Sequence, residues 1–290
     1  MKHWKPAAIA ALWSGALYAA PMPVVASFSI LGDVAQQIGG ERVGVQNLVG
    51  ANQDAHAYNL TSGDIKKIRE ARLVLLNGLG LEKAELQRAV KQSKVASAEA
   101  TAGIKPLAAD EHHHEHGHDH DHDHGEFDPH VWNDPVLMQR YAANVAIALI
   151  KADPAGSRYY QQRFKDYQHV LNQLNNYANQ QFGAVAPAKR KVLTGHDSFA
   201  YLGKRYQVKF ISPQGVSSEA EPSARQITAI IRQIKAENVK AVFTENIKDG
   251  RMIARIAKET GVKVSGGLYA DALSSGAPAG TYADMFRYNV

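Results

Sequence analysis

Apolar positions along the chain fall into short unbroken runs and into stripes spaced by three and four, and together they predict alternating strands and helices. In the first third, Val24–Ile30, Val43–Val49 and Leu73–Leu76 are runs of the length and residue type of buried strands. Between them Leu31–Ile38 reads as a helix that stops at Gly39-Gly40. Ser62–Ala71 reads as a second, with Thr61 as N-cap and Asp64 three residues on as a loose capping box, and Glu82–Lys91 as a third. The same rhythm closes the chain. Lys191–Leu193, Val208–Ile211, Lys240–Phe243 and Val262–Val264 are the expected strands. Ser198–Tyr206, Ser223–Glu237 and Arg251–Thr260 are the expected helices, the second with Ile227, Ile230, Ile231 and Ile234 on one face and the last closed by Gly261. Strands alternating with helices give parallel β/α units.

The middle of the chain is helical. Pro135–Lys151 predicts one helix, and Pro154 to about Gly183 a longer one, with Tyr160, Phe164, Tyr167, Leu171, Leu174 and Ala178 as its apolar stripe. Some 30 residues at about 1.5 Å each make a rod of roughly 45 Å, long enough to span two lobes. The expected fold is therefore α/β. Residues 21–153 form a first lobe, 154–184 a linking helix and 185–290 a second lobe, each lobe a mostly parallel sheet flanked by helices, with a cleft between them.

Two segments fall outside this pattern. Lys2, His3 and Lys5 precede an apolar stretch from Ala7 to Ala20, broken only by Ser14 and Gly15. This is the layout of a secretory signal peptide over residues 1–20, and it is shorter than the roughly 20 apolar residues a membrane span needs. Residues 111–126 hold eight His, six acidic residues and no apolar residue in sixteen positions. Such a segment cannot bury enough surface to offset its ordering entropy and is expected to stay unstructured.

Composition narrows the function. The net charge of +5 is spread without a Lys/Arg block, which argues against a nucleic-acid partner. The chain has no cysteine, so a metal site must draw on His, Asp or Glu. A bacterial lipoprotein carries its lipid on a cysteine, so the same absence argues for a protein free in the periplasm, expected to act as a monomer.

Of the thirteen histidines, His3 leaves with the leader and His169 lies on the polar side of the rod. His112, His113, His114, His116, His118, His120, His122 and His124 form the tract, where alternating imidazoles and carboxylates make weak auxiliary metal sites. His56, His130 and His196 remain. Each follows a turn signal, and residues just past strand ends in α/β lobes point into the crevice where ligands bind.

The segments Asp54-Ala55-His56-Ala57-Tyr58 with Ser62-Gly63-Asp64-Ile65, Asp128-Pro129-His130-Val131-Trp132 with Asp134-Pro135, Gly195-His196-Asp197-Ser198-Phe199-Ala200-Tyr201, Glu221-Pro222-Ser223, and Leu268-Tyr269-Ala270-Asp271-Ala272-Leu273-Ser274 occur in order along the chain. With them the sequence resembles the metal-binding receptors of bacterial zinc and manganese ABC importers, the cluster A-I solute-binding proteins, in their zinc branch. The resemblance covers nearly the whole mature chain. It implies a periplasmic receptor that captures Zn²⁺ for the membrane permease of a zinc ABC importer, with two lobes bridged by one long helix. It also implies the ligands His56, His130, His196 and Asp271.

The manganese branch generally carries Glu at the position of His196. Three imidazoles and one carboxylate suit Zn²⁺, whereas Mn²⁺ prefers more oxygen donors. This chain departs from the pattern at Ala55, where the family usually has Pro and some zinc members a carboxylate. That leaves Asp271 or a water as fourth ligand, with Glu245 and Glu221 as nearby carboxylates, the latter expected to fix a loop. Two other readings are an exported zinc hydrolase and a metal-sequestering surface protein. Against the first, the chain has no H-E-x-x-H helix, G-x-S-x-G elbow or Cys nucleophile.

Overall fold

Residues 20–109 and 127–290 are described by the structure, a computed structural model. The leader and the His-rich tract, His112 to His124 included, lie outside the described residues.

The first lobe is built on strands β1 (Met22–Phe28), β2 (Val43–Val49), β3 (Leu73–Leu76) and β4 (Ala96–Glu99). Helices α1 (Ser29–Gly39), α2 (Ser62–Glu70) and α3 (Ala84–Ser93) connect them. The second lobe repeats the plan with β5 (Lys191–Leu193), β6 (Lys209–Ile211), β7 (Ala241–Glu245) and β8 (Gly266–Leu268), joined by α6 (Ala200–Tyr206), α7 (Ala224–Glu237) and α8 (Arg251–Thr260). Both sheets are parallel and share one order, β2-β1-β3-β4 and β6-β5-β7-β8. In such a sheet the chain switches direction of travel beside the first strand, and the crevice beyond the strands' C-terminal ends is where ligands bind.

Helix α4 (Leu137–Ala152) precedes the rod, α5 (Ser157–Gly183), and α9 (Tyr282–Asn289) ends the chain. At about 1.5 Å per residue the 27 residues of α5 run roughly 40 Å. Tyr160, Tyr167, Leu171, Leu174 and Ala178 are its buried face. They pack on α1 and α4 of the first lobe and on α6 and α9 beside the second. Burying each such large side chain contributes about 1.5–3 kcal/mol. The result is one continuous core from Val24 and Phe28 through the rod to Phe199, Tyr282 and Phe286, with smaller clusters under the outer face of each sheet. The two lobes thus share one core through the rod. Among the described residues no helix is long and apolar enough to cross a membrane.

The capping box at Thr61 forms as expected, Thr61 accepting from Asp64 N and Asp64 from Thr61 N. The expected strand at Val262–Val264 does not form. Val262 N donates to Ala257 O in the turn that closes α8, and the ladder starts instead at Ser265, whose N–H donates to Val242 O. Strand β8 follows as Gly-Gly-Leu, whose single apolar residue gives no pattern to read. The helix expected from Pro135 begins at Leu137, and the turn Pro154–Gly156 is 3₁₀ rather than α.

Candidate metal centre

The four principal candidate ligands sit in connections that follow strands, His56, His196 and Asp271 within a few residues of the strand's end. His56 follows β2, His130 follows β4, His196 follows β5 and Asp271 follows β8. The two lobes thus contribute two groups each, and the four donor atoms lie within 4.8 Å of one another. His130, His196 and Asp271 are completely buried, and His56 is 6% exposed.

The first two histidines are set by the same local device. In Asp54-Ala55-His56 and Asp128-Pro129-His130, the Asp Oδ1 accepts the backbone N–H two residues on, at 2.9 Å in each case. This Asx turn folds the chain sharply enough to aim the imidazole inward. Asp128 Oδ1 also meets His130 Nδ1 at 2.7 Å. His196 is set by Glu245, at the end of β7. Its Oε1 accepts Gly195 N at 2.8 Å and His196 N at 3.0 Å, and its Oε2 meets His196 Nδ1 at 2.6 Å. With Nδ1 donating to a carboxylate, each of these rings keeps a lone pair on Nε2.

The three Nε2 atoms converge on Asp271. His56 and His196 approach Oδ2 at 3.5 and 3.1 Å, His130 approaches Oδ1 at 3.4 Å, and His56 Nε2 lies 3.2 Å from His130 Nε2. A tetrahedral ion with bonds of about 2.0–2.1 Å requires donor–donor edges of roughly 3.3–3.4 Å. The observed separations straddle that value. His196 Nε2 and both Asp271 oxygens are buried with no hydrogen-bond partner. Polar atoms so placed destabilise a fold unless something binds them, and a cation between them would satisfy all three.

The Asp271 loop is tied to the first lobe. Trp132 Nε1 donates to Ala270 O at 2.8 Å, Ser29 Oγ accepts Leu273 N at 3.0 Å, and Tyr282 OH donates to Trp132 O at 2.8 Å. The Trp132 ring stands edge-on to His130 at 5.1 Å and meets Phe28 at 4.9 Å, so the floor of the site is apolar.

Burial holds the pKa of His56 down at about 4, against the pull of Asp271 and aided by His130 and His196. Burial also disfavours a charged His196, but the carboxylates of Glu245 and Asp271 outweigh it and raise this imidazole well above its usual value. For Asp271 burial opposes ionisation, and the imidazoles, His196 first, overcome it and push the carboxyl below the usual range. In the metal-free site the surroundings therefore favour a neutral His56 and pull His196 toward its protonated form. That attraction stabilises the fold fully below the ordinary His value of about 6.5 and is lost as pH rises through the raised value. A metal needs Nε2 deprotonated, so binding near neutral pH is expected to release about one proton. Calorimetry in two buffers of different ionisation heat reads this directly. Affinity should rise about tenfold per pH unit until the raised value is passed, then level off.

Glu245 is engaged with His196 and the backbone before it and is not among the four grouped donors. Glu221 is exposed, 4.0 Å from Lys248. The orienting roles of Asp128 and Glu245 were not readable as such, although an Asp two residues before each of two candidate histidines is the signal that marks the first.

The fold and the site together define a metal-binding receptor with two α/β lobes. Over residues 24–290 the sequence matches the family described as ZnuA, zinc-uptake complex component A, periplasmic, and the chain belongs to that family. It is 32% identical over 279 residues to the manganese-binding lipoprotein MntA of Bacillus subtilis, covering 93% of this chain and 87% of that one. The periplasmic zinc-binding protein TroA of Treponema pallidum superposes with a TM-score of 0.84 at 26% identity, over 93% of this chain and 96% of TroA. A manganese-bound periplasmic metal-binding protein of Candidatus Liberibacter asiaticus gives 0.79 at 29% identity, over 92% and 96%. The protein is a metal-binding receptor of an ABC importer that works outside the cytoplasm, and not an enzyme.

Proposed function

We propose that the protein captures Zn²⁺ in the periplasm and delivers it to the membrane permease of a zinc ABC importer, with His56, His130, His196 and Asp271 as the ligands. The relatives named above bind manganese in two cases and zinc in one, so the metal is assigned from the donors. The carrying observation is three imidazoles and one carboxylate whose donor atoms converge within 4.8 Å of one another, buried and with the Asp271 oxygens unpaired. Three neutral imidazoles suit a borderline ion such as Zn²⁺ in a four-coordinate site. Mn²⁺ favours more oxygens in a larger shell, and among the described residues Asp271 is the carboxylate grouped with the three imidazoles, Glu245 and Asp128 being engaged with Nδ1 atoms.

In this reading residues 1–20 direct export, and residues 154–184 link the lobes of a monomeric receptor. The eight tract histidines, His112 to His124, are auxiliary weak zinc sites. Deleting residues 112–124 is expected to lower the zinc stoichiometry and to leave the tight site at its original affinity, as read by titration. The function itself is tested by growth. A strain lacking the protein should fail in zinc-depleted medium and recover with added Zn²⁺ or with the full chain, but not with a chain carrying His130→Ala. Recovery with Mn²⁺ alone would reject zinc as the cargo.

A further inference from the structure

Four buried ligands raise the question of how an ion reaches them. The shared core and the rod hold the lobes together, so a wide opening of the cleft is not the default route. The structure singles out another. His56 has the one ligand side chain with any solvent exposure, 7% against 0% for the other three. It forms part of the wall of a groove of about 540 Å³ that opens to the surface. One wall is the segment from Leu79 to Gln87, at the start of α3 in the first lobe. The other is Val216, Ser217 and Glu219, in the connection between β6 and α7 of the second.

The two walls are joined across the groove. Lys83 Nζ donates to Glu219 Oε1 at 2.7 Å, with side-chain exposures of 29% and 47%, so the pair lies at the outer edge. Deeper in, Ser218 Oγ donates to Asp54 Oδ2 at 2.5 Å. Asp54 is the residue whose other oxygen holds the His56 turn. The second-lobe wall is anchored from behind by Lys248, which donates to Ser218 O.

We propose that this groove is the path by which the cation enters and leaves, with His56 the first ligand it meets, and that the Lys83–Glu219 pair sets the rate of exchange without setting the depth of the site. The inference rests on the metal-receptor reading. Neither residue touches a ligand, so neither should alter the final coordination. A partly exposed ion pair is a weak tie, suited to a latch that opens readily. It also cancels the Lys83 charge, which unpaired would repel an approaching cation.

The test is rapid-mixing kinetics on the full chain loaded with one equivalent of Zn²⁺ and chased with excess chromophoric chelator, together with the reverse uptake. The slow phase reports the tight site, since weak sites exchange first. Lys83→Gln and Glu219→Gln should both speed uptake and release in proportion at ordinary salt, while Ala84→Trp, an exposed position on the groove wall, should slow uptake and release alike. Equilibrium affinity should change little in all three. At low ionic strength Lys83→Gln should take up Zn²⁺ faster than Glu219→Gln, which leaves a bare cation at the mouth, and the gap should close as salt screens it. Wild-type rates in a folded Ala84→Trp protein would overturn the route. Slow exchange in that variant with unchanged rates in both charge variants would overturn the latch. Absence of a tight Zn²⁺ site in the unmodified protein would instead reject the receptor reading on which both stand.

Discussion

Replacing His196 with alanine is expected to lower the Zn²⁺ affinity of the tight site by roughly a hundred- to a thousandfold. Structural Zn²⁺ sites with four protein ligands bind with about 10–16 kcal/mol. An equal share is therefore roughly 2.5–4 kcal/mol per ligand, and each 1.4 kcal/mol is about a factor of ten. The change also strips Glu245 of its shortest contact, the 2.6 Å approach of His196 Nδ1, and leaves that carboxylate on two backbone N–H groups in a buried place. Competition titration against a chelator of known affinity measures the loss. The same treatment of His169, exposed on the rod, should leave the titration unchanged and serves as control. An affinity drop under about tenfold for His196→Ala would mean that the ion is held elsewhere.

The second large effect is expected at a residue that does not touch the metal. Glu245→Gln keeps the size and shape of the side chain and can keep accepting from Gly195 N and His196 N. The amide nitrogen then faces Nδ1 and, being a donor, requires Nδ1 to accept. The ring proton moves to Nε2, and the lone pair that should meet the ion is lost. Outer groups of this kind typically matter by about 10–100-fold in metal affinity, and that range is expected here. The variant should also release less than one proton on binding near neutral pH, because the carboxylate that most raises His196 is gone. Unfolding by denaturant separates this from a structural defect: the metal-free variant should remain cooperatively folded. Wild-type affinity together with wild-type proton release would remove Glu245 from the account.

His56 and His196 stood out in the sequence because each follows an expected strand and a turn signal in a chain without cysteine, and His130 because it follows a turn signal just after the His-rich tract. Asp271 was not legible in that way. It lies in a Tyr-Ala-Asp-Ala-Leu segment with no pattern of its own, and only the resemblance to a receptor family pointed to it. Glu245 depends on pairing between strands distant in the chain. Leu193 stands opposite Val242 in the parallel ladder of β5 and β7. Carrying that register three residues on sets His196 against Glu245, a step that requires knowing that β5 and β7 are neighbours.

The missing elements have a common cause. Strand β4 is Ala-Ser-Ala-Glu on a sheet edge, held by backbone pairing to β3 and mostly exposed. Strand β8 is Gly-Gly-Leu. Helix α9 has eight residues, too few to establish a period, and gains its place from Tyr282, Met285 and Phe286 buried beside the rod. In all three the partner fixes the conformation, so local composition carries little signal. The long helix was legible for the opposite reason: its stripe repeats over 27 residues.

Whether the buried centre is a zinc site is read by a calorimetric titration of the full chain with Zn²⁺ and with Mn²⁺, repeated for the chain lacking residues 112–124 and for its His130→Ala form. One tight Zn²⁺ site is expected, surviving removal of the tract and disappearing with His130, and Mn²⁺ should bind the same site far more weakly. A tight site that vanishes with the tract, or one that takes Mn²⁺ in preference to Zn²⁺, would contradict that reading.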